Sequence, residues 1–240
     1  MKAVVAQFRI ELALSLRNGE QLLVNLLIPL GLLVFFSQVR VLNSDTPDPV
    51  DFLAPAVLAL AVMSCSLASL GISTGFERFY GVLKRLGATP LGRPRWLAAK
   101  FLSVLVIELG QWAVLIPTGM ALGWNPAGGW PAAILGALLG TAAFGGLALF
   151  LAGTLGGMTN LAVCNGLYLG LVITGGMVVP LSEMPGALQA VAKVLPAAPL
   201  ADIMIGSLAE GKHVHGGSWI VITAWAIVMP LLAAWRFNWD

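Results

Sequence analysis

Runs of roughly 20 apolar residues recur along this 240-residue chain, and nothing else in it restricts the fold so tightly. Each run is long enough, as a helix, to cross a hydrocarbon core of about 30 Å. Lipid offers no partners for backbone N–H and C=O groups, so a spanning segment must satisfy them internally, and helices do so. A transmembrane barrel would instead alternate apolar and polar residues over runs of about 10, and no stretch here does. Only 10% of the residues are charged and 58% are hydrophobic, with mean hydropathy +0.90, against about 25% charged in soluble domains. The chain reads as an all-α polytopic membrane protein.

Six spans are expected, at about residues 22–37, 52–74, 96–122, 130–155, 161–180 and 218–235. The first contains Asn25 and Pro29, and the third contains Glu108 and Pro117. Between the first two, residues 40–51 are expected to form a polar loop with Asp45, Asp48, Asp51, Pro47 and Pro49; NPAGGWP, Asn125–Pro131, is a tight turn. Residues 181–217 are more polar and proline-rich. Ahead of the spans, residues 2–18 place Val5, Phe8, Leu12 and Leu16 on one helical face, with Lys2, Arg9 and Arg17 on the others. Such a helix rests along a membrane surface, its cations toward anionic headgroups; a soluble lead-in helix is the alternative. Arg9, Glu11, Arg17 and Glu20 interrupt any apolar signal-peptide core, so no cleaved leader is expected.

The cations fix an orientation. With six spans, Lys2, Arg9, Arg17, Arg78, Lys84, Arg85, Arg93, Arg95, Lys100 and Arg236 fall on one side, against Arg40, Lys193 and Lys212 on the other. Positive residues stay inside, which puts both termini and the 74–95 loop in the cytoplasm and 181–217 outside.

That loop is the most heavily charged part of the chain. Phe76, Phe79, Val82, Leu83 and Leu86 recur at helical steps, and Glu77, Arg78, Lys84 and Arg85 occupy the other faces. Gly87, Pro90, Gly92 and Pro94 then break the helix. A short helix with such a ridge can fill a groove on a partner. Equally, a basic juxtamembrane loop can be held to anionic lipid.

Other features carry less. Glu108 is the only acid inside an expected span; a carboxylate there costs about 2.5–3.5 kcal/mol on insertion scales, so it must face other helices or a wet cavity. It can serve a translocation path with Gln111, one helical turn along, or simply bond across helices. GSLAEGKH, Gly206–His213, resembles a phosphate-binding loop but ends in His213 where a hydroxyl is needed, and no strand precedes it. His213 and His215 lack a third metal ligand, and Cys65 and Cys164 sit in apolar spans with no disulfide or metal spacing. Gly136 and Gly140, Gly153 and Gly157, and Gly166 and Gly170 are each four apart, a spacing that lets helices approach closely within a bundle or across a dimer.

The stretch FERFYGVLKRLGATPLGRPRWLAAKF, Phe76–Phe101, resembles the permease subunits of type-2 ABC exporters: an acidic–basic pair, a G-x-L-[KR]-R-L core, an A-T-P-L turn and the entry to the third span. TGGMVVPLSEMP, Thr174–Pro185, with Pro196, Pro199 and Leu200 after it, resembles the end of that family's fifth span and the short external helices before its sixth. The resemblance covers nearly the whole chain. It implies a permease that is not itself an enzyme and binds no cofactor. ATP and magnesium are held by a separate ATP-binding subunit, and a second permease, identical or related, completes the pathway. Residues 76–86 would be the coupling helix, with Phe76, Glu77, Arg78, Phe79, Gly81, Leu83, Lys84, Arg85 and Leu86 on the ATPase and the 156–160 turn as a second contact. Glu108 and Gln111 are the candidate residues of the translocation path. The resemblance further implies a plasma-membrane exporter of hydrophobic or amphipathic compounds such as drugs or antibiotics, with lipid or glycan-carrier export as the alternative. A proton-coupled secondary transporter fits less well, since the spans hold one acid and no clear repeat. Lipid is the other expected partner, and nucleic acid is not one.

Overall fold

The computed structural model describes residues 2–38 and 49–237, so Arg40, Asp45, Pro47 and Asp48 of the expected polar loop lie outside the described residues, while Pro49 and Asp51 belong to the first turn of a helix and not to a loop. Those described form eleven α-helices and no strand: α1 (Lys2–Arg17), α2 (Gly19–Gln38), α3 (Pro49–Met63), α4 (Leu70–Phe79), α5 (Val82–Gly87), α6 (Arg93–Ala121), α7 (Trp130–Thr154), α8 (Gly157–Thr174), α9 (Gly186–Val194), α10 (Ala197–Leu208) and α11 (Gly216–Arg236). A π-helical turn, Ser64–Ser69, joins α3 to α4 in one 31-residue rod, Pro49–Phe79. This rod, α6, α7, α8 and α11 are each long and apolar enough to cross a membrane. The apolar stretch of α2, Asn25–Gln38, is shorter, and α9 and α10 form an apolar pair bent by 88°.

The α3–α4 rod is the axis of the bundle. Ala54, Ala56, Ala59 and Ala61 present almost no side chain, so α2, α6, α7 and α10 all reach it, and Val62 and Met63 are completely buried. The rod continues past residue 74, where the sequence alone places the end of the span. Apolar length sets only where a helix enters lipid. The backbone runs on until it finds a terminating geometry.

On the far side of α7, glycine decides the packing. A side chain at Gly136 would strike Ile203 of α10, one at Gly140 would press on Leu200, and one at Gly146 would run into the backbone around Pro230 of α11. Close approach of this kind drives helix association where apolar character alone cannot. Gly153 packs on Phe237 and Gly157 on Phe79, whereas Gly166 and Gly170 face open space on the exposed side of α8. Two of the expected glycine pairs therefore work inside the protomer and the third does not.

Segment 181–217 holds a 3-10 turn (Leu181–Glu183), α9 and α10. Gly206 is helical and packs on the His213–Val214 backbone, so the phosphate-loop-like stretch is the end of a helix. Asp202 accepts hydrogen bonds from His215 N (3.0 Å) and Ser218 Oγ (2.7 Å), and its other oxygen lies 2.7 Å from His215 Nδ1. This carboxylate ties α10 to the start of α11, where a negative charge meets the positive end of the helix dipole. No group of metal-ligating residues forms among the described residues.

Candidate functional site

At the basic end of the bundle the expected 76–86 helix is two helices. Helix α4 closes at Phe79, where Tyr80 N bonds Phe76 O (2.9 Å) and Gly81 N bonds Arg78 O (2.9 Å). Gly81 adopts φ +68° and ψ +16°, a left-handed conformation that glycine takes without penalty. Helical spacing on either side conceals this break, because Val82–Gly87 resumes the same periodicity in a new direction.

The break sorts the predicted contact residues into two sets. Leu83 is fully buried, while Phe79 and Tyr80 are 62% and 66% exposed, and Lys84 and Arg85 are exposed beside them. Tyr80 meets Phe79 edge-on at 5.2 Å and stacks on Phe76 at 6.1 Å, giving an aromatic tip at the turn. Tyr80 was not among the residues singled out from sequence; its place one residue before Gly81 was the available signal. Arg85 reaches back to the carbonyls of Gly81 and Tyr80, and Leu86 is half-buried.

Glu77 and Arg78 turn the other way. Arg78 Nη1 donates to Ala152 O (3.2 Å) and Leu155 O (3.0 Å), two carbonyls at the C-terminal end of α7 that have no partner further along their own helix. Gly157, the first residue of α8, abuts Phe79. The α7–α8 turn and the α4–α5 turn are thereby clamped together. Only Leu155 and Gly156 separate α7 from α8, so residues 157–160 of the expected turn are helical. Just beyond, buried Asn160 donates to Gly71 O on α4 (2.8 Å).

Glu77 meets Lys100. The ammonium, 2% exposed, lies 2.5 Å from Glu77 Oε1 and 2.7 Å from Glu11 Oε2, and Gln7 Nε2 donates to Glu11 Oε1 at 2.7 Å. Helices α1, α4 and α6 are tied through this one cation. Lys100, counted above with the basic surface, is internal. On α1, Gln7 and Glu11 are buried, Phe8 and Leu12 half-buried, and Val5, Ile10, Leu14 and Leu16 exposed. The side of α1 that meets the bundle is the one carrying Gln7 and Glu11. Two carboxylates share one ammonium, and Glu77 Oε2, buried, has no hydrogen-bond partner among the described residues.

Deeper in the bundle, Glu108 and Gln111 do not pair with each other. Thr141 Oγ1 on α7 donates to Glu108 Oε2 (2.8 Å). Gln111 Nε2 donates to Asn25 O on α2 (3.0 Å), and its Oε1 accepts from Cys65 Sγ (3.2 Å). Ser64 Oγ donates to Asn25 Oδ1 at 3.2 Å. The π-helical turn adds a residue to the rod exactly where Ser64 and Cys65 must point at α2 and α6, a use such insertions often have. Both side chains bond across helices, one of the two readings the sequence left open for Glu108, as polar groups in lipid do.

A model of the ABC-2 type transporter family matches residues 3–208. The chain is also 27% identical over 253 aligned positions to the "Putative transport permease YvfS" of Bacillus subtilis (strain 168), covering 97% of this chain and 92% of that one. A family match over most of the length, on a bundle with five helices that can span a membrane, identifies an integral membrane permease. The chain belongs to the ABC-2 type transporter family.

Proposed function

We propose that this permease is the membrane half of an ATP-driven exporter in the plasma membrane, with both termini and the α4–α5 turn cytoplasmic. A separate ATP-binding subunit docks on the exposed tip Phe79–Tyr80 and the flanking Lys84 and Arg85, with the Leu155–Gly156 turn as its second contact. Leu83, Glu77 and Arg78 bind the tip to the bundle, so a push on it reaches α1, α6 and α7 together. ATP supplied and hydrolysed by the partner shifts the permease pair between inward- and outward-facing states, a two-state element biased by a ligand bound elsewhere. The cargo is a hydrophobic or amphipathic compound of the drug or antibiotic kind, and the polar node of Glu108 and Gln111 lies along its path.

The observation that carries this reading is the division of labour at the break. Aromatic and cationic side chains point out at Gly81, while the neighbours that would otherwise be surface charges point in. The test is co-purification with the ATPase. Tyr80→Ala combined with Lys84→Glu and Arg85→Glu is expected to abolish association while leaving the permease folded, since none of the three is buried. Association that survives this triple change overturns the docking assignment. For the path, Glu108→Gln keeps an acceptor for Thr141 and removes the charge; transport in vesicles is expected to fall, and unchanged transport takes the charge out of the mechanism.

A further inference from the structure

A cavity of about 390 Å³ lies where α9, α10 and α11 meet. Helix α8 starts beside Phe79 and α11 ends beside Gly153, so this corner is at the end of the bundle away from the α4–α5 turn. Leu181, Ala198, Pro199 and Val221 make much of its wall apolar. Two opposite charges interrupt that wall, Lys193 in the last turn of α9 and Asp202 within α10. Both are accessible: Lys193 is exposed, and the Asp202 side chain is 24% exposed. They do not pair with each other, and the Lys193 ammonium makes no ion pair or hydrogen bond among the described residues. A carboxylate accepts at about four lone-pair positions. Asp202 Oδ2 takes two donors, His215 N and Ser218 Oγ, while Oδ1 takes only His215 Nδ1, which leaves a position on Oδ1 open.

Opposite charges that line one cavity without meeting leave room for a ligand that carries the complement of each, and an apolar wall with a few such polar groups is the usual make-up of a binding site. The surroundings say where that ligand comes from. Val194, next to Lys193, and Ile220, next to Val221, are 64% and 73% exposed, an aliphatic surface that a membrane protein turns to lipid. A lysine among such residues lays its stem along the apolar surface and holds its ammonium at head-group level. We propose that this cavity binds a zwitterionic phospholipid whose head group ends in a primary ammonium, as in phosphatidylethanolamine. Lys193 donates to the phosphate, the lipid ammonium donates to Asp202 Oδ1, and the chains run out over the apolar wall. A choline head group carries the same charges but has no N–H to give Asp202. Such a site needs only a bilayer around the permease and holds whatever the direction of transport.

The full chain, purified in detergent, is titrated with dilauroyl phosphatidylethanolamine and separately with dilauroyl phosphatidylcholine, and lipid adducts are counted by native mass spectrometry. Saturable binding of one phosphatidylethanolamine is expected, about tenfold tighter than phosphatidylcholine, the worth of a charge-assisted hydrogen bond. Lys193→Gln should weaken both lipids alike, because both carry the phosphate. Asp202→Asn should remove the preference by bringing phosphatidylethanolamine down to the phosphatidylcholine level. If Asp202→Asn fails to fold, having lost the anchor of His215 and Ser218, exposed Lys193→Gln and the two-lipid comparison on the unaltered chain decide. Val221→Trp, which fills the cavity and leaves both charges, should weaken both lipids, and exposed Glu210→Gln, outside the cavity wall, should change neither. Glycerophosphoethanolamine, which has the head group and no chains, should bind far more weakly; binding as tight as the lipid's makes the occupant a soluble compound and overturns the proposal. Equal affinity for the two lipids, or affinity that Lys193→Gln and Val221→Trp leave intact, overturns it as well. ATPase association, read separately with the Tyr80, Lys84 and Arg85 variants, stands or falls independently.

Discussion

The two sides of this bundle are held by different forces. Where α1, α4 and α6 meet, the contacts are ionic and side-chain hydrogen bonds: Glu11 and Glu77 on Lys100, with Arg78 on the end of α7. Where α7 meets α10 and α11, Ile203 and Leu200 fill the space left at Gly136 and Gly140, and the Met229–Pro230 backbone comes up against Gly146. The contrast concerns what can move. An ion pair can exchange one carboxylate for another at modest cost, because both states keep the charge matched. Packing this close has no second arrangement of similar energy, because interiors packed to crystal density do not deform gradually. The basic end therefore has alternative ion pairings open to it, and the packing of α7 on α10 and α11 has no such alternative.

Removing the shared cation strikes this comparison hardest. Lys100→Met leaves Glu11 and Glu77 buried together without compensation and is expected to cost about 3–5 kcal/mol, the range for breaking a buried ion pair. Thermal unfolding in detergent measures it. The control is Lys100→Met with Glu11→Gln and Glu77→Gln, which removes the charges together and should recover most of the loss. If the triple variant is no more stable than the single, packing of the lysine stem and not charge holds α1 in place.

Little of this cluster was legible in the sequence, for a physical reason. Residues 11, 77 and 100 belong to three segments, and each alone has an ordinary solvated reading. A buried lysine is recognisable only once its carboxylates are next to it. The same holds on α1: periodicity reports the apolar stripe and says nothing of the acid that turns inward, here Glu11. The all-α membrane architecture, by contrast, was plain, because apolar length is a local property that needs no partner. The break at Gly81 fell between these cases. Glycine announced the freedom, but only the contacts of Leu83 and Arg78 made use of it.

The comparison is sharpened by one substitution made at two sites. Glycine to alanine inside a helix removes chain entropy from the unfolded state and is worth about 0.5–1 kcal/mol of stability where space allows. At Gly146 space does not allow it: the new Cβ would lie 2.5 Å from Pro230 N and 2.7 Å from Met229 C, and backbone cannot step aside as a side-chain end can. Gly146→Ala should destabilise by about 1–3 kcal/mol, the usual cost of overpacking. At Gly166 nothing lies within 4 Å, and Asn165, Leu169 and Gly170 are exposed around it. Gly166→Ala should leave the isolated protomer as stable as before or slightly more so. If it lowers stability instead, another surface already occupies that face. A second permease is the fitting occupant, since Asn165 would otherwise present a polar side chain to lipid at the middle of a span, where such groups seek partners across helices. The sign of that one small change, read in the purified chain and again in the assembled transporter, distinguishes a face that meets lipid from a face that meets its copy.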